Sequence, residues 1–325
     1  MIKPIVAVTL GDVSGVGPEV VIKALNDKVV KRLCFPLVIG ARDYLLYENI
    51  PTKINTIKVI KKENFSEYAI NLWEIRNPPK IRLPKGKVNP ISGKISILQI
   101  LEAVKLIKQK SVHSLVTAPV SKEAINKAGY KFSGHTDFLA NLTKTKQIRM
   151  LLQNPIYRVV LETVHTPINK ISQLLNVSHL YQTIKLANKY LKKIGIPFGR
   201  IGVCCLNPHC GEGGLLGNDE KKVIFPAIKK ANLKGINTLG PYPPDKLFYE
   251  AKNRRFDLIV SMYHDQGLLP LKLTGYFSSV NITLGLPFVR TSPVHGTAFD
   301  IAGKNKADCK SMVEAIKACA KLSVL

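Results

Sequence analysis

No stretch of this sequence approaches the roughly 20 consecutive apolar residues that a membrane-spanning helix needs, which argues against a membrane partner. Acid is scarce: 22 Asp and Glu stand against 48 Lys and Arg, a formal charge of +26. Aromatic residues are few as well, at 7%, and no basic run is interleaved with them as a base-stacking platform requires. Lysine outnumbers arginine 38 to 10 and is scattered through segments such as KKENF, YLKKIG and DEKKVIFPAIKKA, which read as solvated helix faces and turns. The charge therefore reads as a lysine-rich surface with no nucleic-acid partner, although it would attract an anionic substrate. None of the six cysteines sits in a C-x-x-C pair. The opening MIKPIVAVTLGD has no small-residue cleavage site and reads as a first strand, so the thiols are expected to be reduced and the protein cytoplasmic. Cys210 directly follows His209 and reads as either a zinc ligand or a small loop residue. Internal repeats, low-complexity linkers, the P-loop, the G-x-G-x-x-G pattern and H-E-x-x-H are all missing.

What is present is alternation. The chain is 46% hydrophobic over 325 residues, enough for two domains or one large α/β unit. Strand-like runs (PIVAVTL, FPLVIG, IKVI, HSLVTAP, RVVLETV, RIGVCCL, FDLIVSMY) alternate with amphipathic segments. The longest, GKISILQILEAVKLIKQK, carries Ile97, Ile100, Leu101, Val104 and Ile107 at helical spacing. Helices are likewise expected over PEVVIKALN, LYQTIKLANKYLKKIG, NDEKKVIFPAIKKAN and ADCKSMVEAIKACAKL. The pattern predicts an α/β fold with a mostly parallel sheet covered by helices. The proline-rich IRNPPKIRLPKGKVNPISG reads as a surface loop.

Three strand-like runs end in a histidine: His165 in VHTPIN, His209 in LNPHCGEGG and His264 in SMYHDQG. Ligands of parallel sheets bind beyond the carboxyl ends of the strands, so three imidazoles at that edge could converge on one divalent ion with positions left for substrate. Each alone would read as a loop residue making a hydrogen bond. Glu212 and Asp265 are carboxylates near enough in sequence to support them. TLGDVSGVGPEVV is a strand–loop–helix junction in which Gly11, Gly15 and Gly17 permit close backbone approach and Pro18 suits a first helical turn. Asp12 is its most suggestive polar residue. In FSGHTDFLANLT, His135 and Thr136 stand where a helix begins and could serve an anion, or Ser133 or Thr136 could simply cap the helix. Lys272, Asn281 and Arg290 follow later, a point charge, an amide and a bidentate fork suited to phosphate or carboxylate.

TLGDVSGVGPEV, TAPVSKEAINKAG, GHTDFLA, LNPHCGEGG, YHDQGLLPLK and PVHGTAFDIAGKNKAD occur in that order, and the whole chain thereby resembles the 4-hydroxythreonine-4-phosphate dehydrogenase (PdxA) family of vitamin B6 biosynthesis. GDVSGVGPEV and the last segment are also similar to the first turn and cofactor loop of isocitrate and isopropylmalate dehydrogenases. The resemblance implies two α/β/α domains around a cleft, residues 1–133 with 275–325 forming one and 134–274 the other. It implies NAD-dependent oxidation of 4-(phosphooxy)-L-threonine, then decarboxylation to 3-amino-2-oxopropyl phosphate, by a homodimer with its site at the subunit interface. His165, His209 and His264 would hold a divalent ion (zinc, magnesium or cobalt). His135, Thr136, Lys272, Asn281 and Arg290 would bind the phosphorylated substrate, and His295, Gly296 and Asp300 the adenosine part of NAD. Dehydrogenases of phosphorylated sugar acids, 4-phospho-erythronate or threonate phosphate, make the same demands. The proton acceptor stays open among bound water, Asp245 and Asp265. Val13–Ser14 and Val120–Ser121 depart from the family's usual Pro-Ala and Ile-Asn.

Overall fold

Runs of β-branched and aliphatic residues form the strands. A computed structural model describes residues 3–79 and 82–325. The strands are β1 (Ile5–Thr9), β2 (Phe35–Gly40), β3 (Ile54–Thr56), β4 (Ile70–Glu74), β5 (Ser114–Thr117), β6 (Arg149–Gln153), β7 (Arg158–Leu161), β8 (Ile201–Cys204), β9 (Thr238–Tyr242), β10 (Leu258–Ser261), β11 (Val280–Leu284) and β12 (Val289–Pro293). The helices are α1 (Gly17–Leu25), α2 (Lys28–Leu33), α3 (Arg42–Leu46), α4 (Pro90–Lys108), α5 (Lys122–Lys127), α6 (His135–Thr143), α7 (Ile171–Leu174), α8 (Val177–Lys193), α9 (Phe225–Leu233), α10 (Pro244–Lys252), α11 (His264–Gly275) and α12 (Lys310–Ser323). Among the described residues no helix is long and apolar enough to cross a membrane.

The chain divides into two compact units, Met1–Thr145 with Leu286–Leu325, and Lys146–Gly285. The first carries strands in the order β3-β4-β2-β1-β5-β12, every neighbouring pair parallel. The second has the order β11-β6-β7-β10-β8-β9; β6 runs antiparallel to both β11 and β7, and the rest are parallel. The expected α/β class with mostly parallel strands is therefore the observed one.

The unit boundaries differ from 133/134 and 274/275, for two packing reasons. Leu139 of α6 is buried in the same apolar cluster as Ile100 and Leu115, with Phe138 packed against it, so residues 134–145 belong to the first unit. β11 pairs with β6 through all five of its residues, which ties 275–285 to the second.

Local chemistry sets the element ends. α4 starts at Pro90, whose missing N–H costs nothing in a first turn, and the Asn89 side chain accepts a hydrogen bond from Ile91 N at 2.8 Å. The helix buries Ile97, Ile100 and Val104, each contributing about 1.5–3 kcal/mol, while Leu101 turns outward. The segment expected as one helix over NDEKKVIFPAIKKAN opens instead with a π-helical turn, Glu220–Ile224, ahead of α9. Pro226 lacks the donor that regular α-helical bonding would use there. IKVI is not a strand: β3 ends at Thr56, and Ile57 is buried just beyond it. Within the proline-rich connection, Lys80 and Ile81 lie outside the described residues.

Candidate active site

β7, β10 and β8 are adjacent and parallel in the second unit, so their carboxyl ends form one edge. His165 follows β7, His264 follows β10 and His209 follows β8 at that edge. The rings of His165 and His264 lie 5.9 Å apart between centroids, tilted by 38°. His264 opens α11, and its Nδ1 stands 2.6 Å from Asp265 Oδ1. A carboxylate on Nδ1 orients an imidazole and directs its Nε2 lone pair outward, the arrangement common behind metal-ligating histidines.

His209 sits on a very different backbone. Five successive residues, His209, Cys210, Gly211, Glu212 and Gly213, all have left-handed φ between 41° and 80°. For residues with a Cβ this conformation costs about 1–2 kcal/mol each, and it persists only where surroundings enforce it. Glu220 supplies much of that enforcement. It is 5% exposed, and its carboxylate accepts from Leu206 N and Asn207 N, both at 2.8 Å, and from Asn207 Nδ2 at 3.0 Å. A Cβ at Gly211 would stand 2.7 Å from Gly217 O and 2.8 Å from Glu220 Oε2. Cys210 Sγ donates to Pro241 O at 3.7 Å and burial holds its thiol above the ordinary range, so the small-loop-residue reading fits it better than the zinc-ligand one.

An ion at this edge can be tested against the donors present. Two imidazoles lie near one another, and imidazole donors suit zinc or a similar ion. Among the described residues, however, no group of three His, Cys, Asp or Glu side chains is gathered closely enough to hold a metal. His165 and His264 come together; His209 does not complete a set with them.

On α11, Lys272 lies eight residues beyond His264, about 12 Å along the axis, with Nζ 5.5 Å from the Tyr276 ring centroid. Asn281 on β11 has a buried Oδ1 with no hydrogen-bond partner. Asp245 is exposed in the first turn of α10, after β9.

The first unit holds a second set. His135 opens α6 with Thr136 beside it. Its Nε2 is buried without a hydrogen-bond partner, and its ring lies T-shaped to Phe132 with centroids 5.7 Å apart. Burial, then the Arg290 and Lys122 charges, hold its pKa well below the usual histidine range, so it is neutral. Arg290 on β12 is 2% exposed and donates from Nη2 to Thr117 Oγ1 at 2.6 Å. Ser133 donates to Asp137 at 2.7 Å. An imidazole with an unmet ring nitrogen, a buried guanidinium and a helix start are groups that suit an anion.

Near the end of the same unit, His295 Nδ1 lies 3.0 Å from Gly296 O and its buried Nε2 has no partner. A Cβ on Gly296 would meet nothing within 4 Å. Asp300 is exposed, and its backbone carbonyl accepts from Lys304 Nζ at 2.7 Å. This loop packs on the first glycine loop: Val16 N donates to Thr297 O at 3.0 Å, and a Cβ on Gly15 would come 2.8 Å from that same oxygen. Gly11 and Gly17 likewise face the chain's own carbonyls, Pro119 O at 2.2 Å and Leu10 O at 2.1 Å from their would-be Cβ atoms. The glycines thus permit approach of protein to protein. Asp12 is fully buried and accepts from Ser14 N at 2.9 Å and from the Ser92 hydroxyl. It locks the turn.

Sequence reasoning missed Glu220 and Asn207. The only signal was their polarity beside the LNPHCGEGG loop. Thr117 had no signal beyond opening the TAPVSKEAINKAG motif.

The family model for the pyridoxal phosphate biosynthetic protein PdxA matches residues 32–319. The chain is 39% identical over 323 residues to a 4-hydroxythreonine-4-phosphate dehydrogenase of Desulforapulum autotrophicum, covering 98% of this chain and 95% of that one. It is 40% identical over 325 residues to a D-threonate 4-phosphate dehydrogenase of Cupriavidus necator, covering 98% and 97%. The crystal structure of 4-hydroxythreonine-4-phosphate dehydrogenase from Klebsiella pneumoniae superposes with a TM-score of 0.90 at 36% identity, covering 99% of this chain and 98% of that one. On these matches, which span nearly the whole sequence, the chain belongs to the PdxA family and is an oxidoreductase.

Proposed function

We propose that the protein oxidises the secondary alcohol of 4-(phosphooxy)-L-threonine with NAD, and that the resulting β-keto acid loses carbon dioxide to leave 3-amino-2-oxopropyl phosphate for pyridoxal 5′-phosphate synthesis. The observation that carries the reading lies in the first unit, where His135 has a buried Nε2 without a partner and feels the charge of buried Arg290. In this reading His135, Thr136 and Arg290 take the phosphate. Neutral His135 binds as a hydrogen-bonding ring and Arg290 supplies the charge.

His165, His209 and His264 would hold one divalent ion once the His209 loop is brought to the pair that His165 and His264 already make; zinc, magnesium and cobalt are all candidates. Such an ion lowers the pKa of an alcohol and stabilises negative charge on a carbonyl oxygen. Asp265 fixes the orientation of the His264 ring. Lys272 and the unmet Asn281 Oδ1 offer a cation and an acceptor to the polar groups of the substrate. His295, Gly296 and Asp300 would bind the adenosine half of NAD. A carboxylate at the 2′-hydroxyl accepts its hydrogen bond and repels the 2′-phosphate of NADP.

A homodimer with the active site at its interface is part of this proposal. Leu269 (63% exposed), Leu273 (79%), Tyr276 and Phe277 form an apolar stripe along α11 and just past it, on the element that carries His264 and Lys272. Light scattering at micromolar concentration should give twice the chain mass.

A second reading has its own support: the D-threonate 4-phosphate dehydrogenase relative is as similar as the 4-hydroxythreonine one. NADH formation with each phosphorylated substrate, with and without chelator, decides between them. No turnover of either overturns both. His209→Ala should lose bound metal and activity while keeping its circular dichroism; a full-rate variant removes His209 from the site.

A further inference from the structure

The three parallel strands that deliver histidines at their carboxyl ends carry a different cluster at their amino ends. Arg158 is the first residue of β7, Arg200 immediately precedes β8, and Arg254 and Asp257 lead into β10. Because β7, β10 and β8 are neighbours, these residues share one edge of the second unit. A four-residue strand separates that edge from the histidines by about 13 Å. There the side chains line a cavity of about 380 Å³, with Ile156 and Phe256 as apolar wall. That volume lies at the small end of the roughly 300–1,000 Å³ typical of ligand pockets.

The charges do not balance. Asp257 Oδ2 accepts from Arg200 N at 2.7 Å and Arg200 Nε at 3.2 Å. Arg200 Nη2 donates to Arg254 O at 2.7 Å, and Arg158 Nη1 to Asp257 O at 3.3 Å. Among the described residues no carboxylate forms an ion pair with Arg158 or Arg254. Three guanidinium groups therefore face one carboxylate. Arg254 also holds a left-handed backbone, φ 59°, where glycine or asparagine would be the unstrained choice. Only 10 arginines exist in a chain that otherwise uses lysine, and three of them are here.

We propose that this edge binds a small polyanion carrying two or more phosphate groups, held by the forks of Arg158, Arg200 and Arg254. Guanidinium forks bind phosphate oxygens in pairs, which a scattered lysine surface does not. A concave cavity of this size suits a free small molecule. The source could be inorganic pyrophosphate or the phosphates of a nucleotide, which share this chemistry.

The test is calorimetric titration of the full-length protein with pyrophosphate and, separately, with ADP, backed by hydrogen exchange. Saturable binding of one anion per chain is expected, with protection at residues 155–158 and 253–258. The double variant Arg158→Gln/Arg254→Gln should bind at least tenfold more weakly and keep its rate of NADH formation. If it unfolds, the exposed Arg254→Gln alone should still weaken binding several-fold. ADP binding tighter than pyrophosphate points to a nucleotide; the reverse points to the inorganic ion. No saturable heat with either probe, unchanged affinity in the variants, or protection confined to the His135–Arg290 region overturns the proposal.

Discussion

Replacing Arg290 by leucine separates binding from stability. In the folded protein burial pushes the guanidinium down to about 10 from 12.5, so the charged form is disfavoured there by about 3 kcal/mol. A cation with a depressed pKa opposes folding throughout the neutral range, and an apolar residue of similar length removes that penalty. Against this gain, Thr117 Oγ1 loses its donor, a cost of about 1–3 kcal/mol for a buried hydroxyl. The two nearly cancel, so Tm should move by no more than about 6 °C in either direction. The binding effect has no such compensation. One charge-assisted hydrogen bond to a phosphate contributes about 1.5–3 kcal/mol. Its loss should lower kcat/KM about 10- to 150-fold, mostly through KM. Steady-state NADH production across substrate concentrations, alongside differential scanning calorimetry, reads both quantities. Arg290→Lys should fall between the two, keeping a charge without the fork. A well-folded Arg290→Leu enzyme with wild-type kcat/KM would refute the placement of the phosphate.

His135 makes stability depend on pH. Its folded pKa lies below the ordinary value of about 6.5, so the unfolded chain binds the proton more tightly and stability drops as pH falls below that value. Urea midpoints at acid and neutral pH should therefore converge in His135→Gln relative to wild type; an unchanged difference sinks the assignment. Gly211→Ala should cost about 1–2 kcal/mol for its left-handed backbone and a further 1–3 for the clash with Gly217 O and the Glu220 carboxylate. An unshifted melting curve would contradict the tight loop. Asp300→Ala should narrow the preference for NAD over NADP, read as a ratio of kcat/KM values, and an unaltered ratio removes Asp300 from the ribose.

Some of this was legible in one dimension. A run such as RVVLETV has enough β-branched residues to announce a strand whatever surrounds it, and the residue that follows must lie at that strand's carboxyl end. Once β7 and β10 are neighbours, that rule brings His165 and His264 to one edge. Glu220 was not legible, because a carboxylate accepting from Leu206 N and Asn207 N looks in sequence like any acid on a lysine-rich helix. The π-helical turn was hidden in the same segment, since periodicity cannot register one extra residue per turn ahead of Pro226. The family resemblance drew the boundary just before α6, whereas Leu139 of that helix is buried with Ile100 and Leu115.

By itself the sequence determined the α/β class, six of the strands (β1, β2, β5, β7, β8 and β10), the longer helices and the family, because these depend on side-chain period, capping and residues adjacent in the chain. The tertiary structure alone decided which distant groups share an environment. It made His135 neutral beside a buried Arg290, held the His209 loop in its left-handed path, and collected Arg158, Arg200 and Arg254 at one edge. The physical reason is that burial and electrostatic fields are set by distances in space, and residues 42 to 155 positions apart carry no mark of being neighbours.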